Sequence, residues 1–181
     1  MRIFYRRPRQ WAFLLGLGLL LSACATDPSA PTSVQAIPDG QKSTIHIADV
    51  SAEAKPGVFV ASYELERISG MVKAELQKEV PAVVVDANAP AGDPPAKLKL
   101  IITQYDEGSA FARFMLAGLG QIKLDADVLV IDGASGQVIG KYQVSKQFAF
   151  GGIYGGSTQM KDVEQGFAKS VAQIFLEKKK A

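Results

Sequence analysis

The feature that most constrains this chain is a pair of long alternating runs around one tight turn. Residues 121–132 (QIKLDADVLVID) and 138–150 (VIGKYQVSKQFAF) flank the turn DGASGQ. Apolar and polar residues that alternate with period two mark a strand with one buried and one wet face. Two such runs joined through Asp and Gly predict an antiparallel hairpin. Setting Asp132 opposite Val138 pairs Ile122 with Phe148, Ala126 with Val144 and Val128 with Tyr142. The other face then pairs Lys123 with Gln147, Asp125 with Ser145 and Asp127 with Gln143. One face is mostly apolar and one mostly polar, so the sheet is expected to carry helices on one side only.

The remaining periodicity fills in around the hairpin. Residues 44–50 (TIHIADV) alternate and predict a strand. Residues 62–79 place Leu65, Ile68, Val72 and Leu76 at helical spacing with charges opposite, with Ser62 as the expected N-cap and Pro81 beyond the end. Residues 82–85 form a short β-branched run, read as a buried strand; residues 88–95 (NAPAGDPP) read as a loop. Residues 97–105 (KLKLIITQY) predict a further strand, and residues 158–177 a second helix with Met160, Val163, Phe167, Val171 and Ile174 on one face. The order is β-α-β-β-β-β-α. It predicts an α+β two-layer sandwich: a mixed, mostly antiparallel sheet of about five strands with two helices on one face. The first β-α-β is expected to join parallel strands through a right-handed crossover.

The front of the chain has another character. Arg2, Arg6, Arg7 and Arg9 precede an apolar run from Trp11 to Leu21, then Ser22, Ala23 and the single cysteine, Cys24. A charged start, an apolar middle and small residues make a secretory leader. Eleven apolar residues give a helix of roughly 16 Å, about half the hydrocarbon core of a bilayer. Arg6-Arg7 hints at twin-arginine export, although Arg9 and Gln10 sit where that signal prefers apolar residues. Two cleavage readings compete. Leu21-Ser22-Ala23-Cys24 resembles a bacterial lipobox, which implies lipidation of Cys24; Ala23-Cys24-Ala25 also fits ordinary signal peptidase. The lipobox reading makes Cys24 a membrane anchor in membrane lipid. Ala25 and Thr26, in place of an Asp, then imply the periplasmic face of the outer membrane.

Residues 24–43 are rich in Pro, Ser and Ala and are expected to be a disordered tether. The division is therefore 1–23 signal peptide, 24–43 lipidated Cys and tether, and 44–181 a single periplasmic domain. The chain has 20 basic and 18 acidic residues; without residues 1–23 four arginines go, leaving a balance of −2. No basic patch remains to recruit nucleic acid.

Little in the domain suggests catalysis. His46 is the single histidine and lies in an alternating strand, and no His/Cys cluster accompanies it, so neither metal nor cofactor is expected. Asp125 and Asp127 share a strand face and could do acid–base work, but that face also carries Lys123, Ser145 and Gln147 and looks open to water. Gly118-Leu119-Gly120 precedes a strand, whereas a phosphate cradle needs a helix N-terminus. Two segments stand out instead. EGSAFARFMLAGLG leads into the hairpin and FGGIYGG leaves it, so both lie at the end of the sheet opposite the turn. Phe111, Arg113, Phe114, Leu119 and Tyr154 form the candidate contact surface there. Such loops either expose an apolar rim to a partner or fold inward and plug the core.

The stretch YDEGSAFARFMLAGLGQIKLDADVLVIDGASGQVIGKYQVS, with the later GG loop and the C-terminal helix, resembles an uncharacterised bacterial lipoprotein family, a domain of unknown function. In that family a Gly- and Arg-containing segment, a G-x-G, a strand and an Asp-x-x-(Thr/Ser)-Gly turn recur in this order. The matching positions are Gly108, Arg113, Gly118, Gly120, and Asp132 to Gly136. The resemblance spans residues 44–177 and departs at Gly133-Ala134-Ser135. It implies an envelope location and transfers no active site. More distantly, the α/β order is similar to periplasmic lipoprotein modules of the curli-secretion type. The expected function is a non-enzymatic module that binds an unidentified envelope protein. The alternatives are a lipid-binding or lipid-transfer protein, or a hydrolase working from Asp125 and Asp127.

Overall fold

The computed structural model describes residues 30–42, 44–84, 94–116 and 119–176. In chain order they form β1 (Thr32–Gln35), α1 (Asp39–Lys42), β2 (Ile47–Ala54), α2 (Ser62–Glu79), a 3-10 turn (Pro81–Val83), β3 (Ala96–Asp106), α3 (Ala110–Met115), β4 (Ile122–Ile131), β5 (Val138–Phe148), α4 (Gly152–Ser157) and α5 (Met160–Ala172). The strands make one sheet in the order β1-β5-β4-β3-β2. β2 and β3 run parallel, and the other three pairings are antiparallel. The chain is an α+β domain with a mixed five-stranded sheet, as its periodicity predicts.

The hairpin holds the register set by its side-chain pattern. Ile122 faces Phe148, Ala126 faces Val144 and Val128 faces Tyr142. The register slips at the turn end, where Ile131 rather than Asp132 faces Val138. Asp132 is instead drawn into the turn: its Oδ1 accepts from the backbone N–H of Ser135 at 2.7 Å and from the Ser135 hydroxyl at 2.6 Å. Gly136 closes the turn at φ +69°, a conformation that costs glycine little.

One face of the sheet carries the core. Leu98, Leu100, Ile102, Leu124, Ala126, Val128 and Val130 are buried, and the residues that alternate with them are partly or fully exposed. α2 covers this face over β2, α5 covers it over β4 and β5, and the two helices pack on each other. Ile68, Val72 and Leu76 of α2 and Val163, Phe167 and Val171 of α5 close the layer. Three further short helices, α1, α3 and α4, lie in segments read as loop or tether.

Four expectations are corrected. Residues 32–42 are not tether: β1 pairs with β5, Ile37 is buried, and its backbone N–H donates to the Tyr142 hydroxyl at 2.9 Å. The absent side chain at Gly140 makes room for Ile37. Residues 82–84 are not a strand. Pro81 opens a 3-10 turn there, and Val84 makes a lone bridge to Ile47. The parallel partner of β2 is therefore β3, and β1 restores the count of five. Ser62 is the first helical residue rather than the cap; the Ala61 N–H is met by the Glu64 carboxylate at 3.0 Å. α5 begins at Met160, after Asp162 Oδ2 accepts from the Gln159 N–H at 2.8 Å.

Candidate functional site

The rim opposite the hairpin turn is built by a clasp of glycines around one arginine. Asp106 Oδ1 accepts from the Gly108 N–H at 2.8 Å and bends the chain out of β3. Gly108 and Gly120 both have positive φ and cross so closely that a Cβ on Gly108 would meet the carbonyl oxygens of Gly120 and Gln121. Ser109 then caps α3 by accepting from the Ala112 N–H at 3.2 Å. Arg113 points inward from α3. Its Nε donates to the Gly155 carbonyl at 2.8 Å, Nη1 to Glu107 at 3.0 Å and Gly120 at 2.7 Å, and Nη2 to Thr158 at 3.1 Å. One planar fork thus ties both predicted loops together. α3 and α4 pack side by side above it, with Phe114 against Gly156.

The apolar side chains of this rim point outward. Phe111 is 73% exposed, Ile153 79% and Tyr154 82%; Phe114, Met115, Leu116, Leu119 and Phe150 are exposed too. The rim does not plug the core. Of the five predicted contact residues, Phe111, Phe114, Leu119 and Tyr154 lie at the surface. Arg113 does not: it is 3% exposed and holds the rim from beneath. The available signal was that Arg113 is the single charged residue in an otherwise uncharged segment, 108–121. Cys24 and Gly118 lie outside the described residues.

A second polar cluster lies at the seam of α2 and α5, and periodicity gave little hint of it. Arg67 grips Glu164 with two bonds, Nε to Oε2 and Nη2 to Oε1, each 2.7 Å. The Tyr105 hydroxyl sits 2.9 Å from a carboxylate oxygen of both Glu64 and Glu164 and shares its one proton between them. Glu164 is 1% exposed. The bond to Glu164 holds the Arg67 guanidinium charged beyond its ordinary range. Burial, with the two carboxylates next, pushes the Tyr105 phenol well above its usual pKa. The signal was there in part: Glu164 follows Val163 and precedes Phe167 by one turn, inside the apolar stripe of α5. Beside this cluster and α3 lies a cleft of about 750 Å³, lined by Tyr63, Arg67, Glu107 and Lys161 among others.

The two sheet-face aspartates lie where the pattern put them. Asp125 accepts from the Ser145 hydroxyl, and Asp127 lies 3.6 Å from the Lys141 ammonium. They line a groove of about 380 Å³ with Lys55, Thr103 and Gln143. His46 is exposed. Among the described residues no three His, Cys, Asp or Glu side chains come together as a metal site requires, and no helix is long and apolar enough to cross a membrane.

The profile of a domain of unknown function, DUF4410, matches residues 41–152. The chain is similar in structure to the PelC dodecamer from Paraburkholderia phytofirmans, with 12% identity, a TM-score of 0.55, and coverage of 82% of this chain and 99% of that one. A dodecamer of a point variant of PelC from the same organism matches with 14% identity, a TM-score of 0.50 and coverage of 80% and 93%. A Xanthomonas campestris protein of the DUF330 family matches with 7% identity, a TM-score of 0.48 and coverage of 80% and 88%. No curated protein matches the sequence. At these identities the likeness to PelC concerns the fold.

Proposed function

The chain belongs to the DUF4410 family, and from that premise we propose that it is a lipid-anchored envelope protein that acts by contact and not by catalysis. Cys24 is the anchor, acylated after cleavage of the leader, and the domain stands at the periplasmic face of the outer membrane. Its contact surface is the rim of α3 and α4, and an envelope constituent covers that rim in the cell.

One observation carries the reading. Large apolar side chains stay exposed on two short helices that Arg113 and the glycine clasp hold rigid from below. Each Å² of apolar surface left in water costs about 25 cal/mol. Soluble monomers rarely keep large contiguous apolar patches without a use. The clasp also supplies preorganisation, since a rim that is already ordered loses less entropy on contact. The aspartate pair lies on an open face and is engaged by Ser145 and Lys141, which favours contact over hydrolysis. The core face is filled by side chains such as Phe167 and Leu100, which favours contact over carriage of a lipid beneath the sheet. PelC is a dodecamer, so a second copy of this chain is one candidate occupant.

Two measurements test the proposal. Intact mass of the purified protein is expected to show acyl chains on Cys24, and Cys24→Ser is expected to leave the membrane fraction. A mature protein that begins at Ala25 or Thr26 would defeat the anchor. Phe114→Ser is expected to leave thermal stability within about 0.5 kcal/mol of the parent, as surface changes do. A loss of roughly 2–5 kcal/mol would make Phe114 a core residue and remove the contact surface.

A further inference from the structure

We infer that the apolar rim of α3 and α4 docks on the lipid surface of the membrane that holds Cys24, so that the domain stands with this end down. The inference rests on the anchor proposed above and names the occupant of the proposed contact surface. The first argument is the direction of β1. Thr32 pairs with Gln143 and Gln35 with Lys141, antiparallel. Moving back from Thr32 towards the N-terminus therefore means moving along β5 towards Phe148, the end that carries the rim.

The second argument is length. Because β1 is ordered, eight residues lead from Cys24 to Thr32, and they span at most about 28 Å. Five strand residues separate the level of Gln143 from that of Phe148, about 17 Å. An acylated Cys24 reaches beyond the rim with about 10 Å in hand. Reaching the opposite end would require a reversal. A turn uses about four residues and leaves roughly 14 Å for a distance of more than 17 Å.

The third argument is charge. Residues 108–121 and 148–160 contain one charged side chain, Arg113, and four carbonyls already hold it inside. Entering the headgroup region therefore strips water from no carboxylate and no ammonium of these segments. Phe111, Phe114 and Ile153 supply apolar depth, and Tyr154 has the amphipathic ring favoured at membrane interfaces. Interfacial helices sink their apolar faces about 5–10 Å, about the depth of one side-chain layer.

The test uses single-tryptophan reporters in the full chain. Trp11 is the only tryptophan, so a Trp11→Phe background keeps the reporter unique however the leader is processed. Purified acylated protein carrying Phe114→Trp is placed in vesicles of phosphatidylethanolamine and phosphatidylglycerol, with or without bromine on the acyl chains. Its emission is expected to fall at least about twofold in the brominated vesicles, as an interfacial ring would. Val138→Trp, at the opposite end, is expected to be unchanged. Ile153→Trp serves as second reporter if Phe114→Trp fails to melt like the parent. Equal quenching at both ends, or none at the rim, overturns the inference. So does a blue shift that follows protein concentration without lipid, which would give the rim to a second copy. An intact mass without acyl chains on Cys24 defeats the anchor separately, and vesicle quenching at residue 114 still decides the rim.

Discussion

Tyr105 shows how much a single position can depend on partners far away in sequence. It ends an alternating strand that periodicity locates, yet its surroundings come from α2 and α5. Its hydroxyl lies between Glu64 and Glu164, and burial together with those carboxylates disfavours the phenolate. A raised folded-state pKa contributes stability that is complete below the unfolded value, about 10 for tyrosine. Above that the unfolded chain releases the proton while the folded one keeps it, so stability falls with rising pH. Denaturant midpoints measured from pH 8 to 11 are expected to drop above about pH 10. Tyr105→Phe is expected to flatten that drop and to cost about 1–2 kcal/mol at pH 8 through the lost hydrogen bond. An unchanged alkaline slope in the variant would remove Tyr105 from the linkage. The carboxylate partners were harder to read, because a helical glutamate next to an apolar stripe is usually solvated. Only the opposing Arg67 and Tyr105 make burial of Glu164 tolerable.

At the scale of elements, what the sequence made plain is what period two and period 3.6 encode. The register of β4 against β5, the apolar faces of α2 and α5, and the one-sided cover of the sheet all follow from pattern. β1 does not. Its residues, TSVQ, are exposed and carry no alternation, and its place depends on Ile37 filling the space above Gly140. The 3-10 turn at Pro81–Val83 escaped for the converse reason, since a β-branched run has strand propensity and here makes only the lone bridge of Val84 to Ile47. The rim lay between these cases. Gly and aromatic residues located it, but which side chains face out depends on the Arg113 fork. Arg113→Lys replaces four directed bonds with a point charge, and is expected to cost about 2 kcal/mol. By amide hydrogen exchange α3 and α4 should lose protection while β3 and β4 keep theirs. If α3 and α4 exchanged at the parent rate in the lysine variant, the fork would not be what holds the rim.

For the whole molecule, the two ends of the sheet differ in kind. One end is the glycine-clasped apolar rim; the other is the hydrophilic turn in which Asp132 accepts from Ser135. β4 separates them with ten residues, about 34 Å of strand. A domain standing on its rim therefore projects the turn, and the open face with Asp125 and Asp127, into the aqueous compartment. An envelope protein partner would meet those surfaces first. The single natural cysteine is the proposed acylation site, so engineered thiols report without interference. In membranes opened to expose the periplasmic face, Ser135→Cys is expected to react with a membrane-impermeant maleimide within minutes. Ile153→Cys, also at an exposed position in the isolated domain, is expected to resist until detergent removes the lipid. Protection at Ile153 that survives detergent would point to a protein cover. Equal labelling of the two thiols in intact membranes would mean that the domain hangs free of the surface on its short leash.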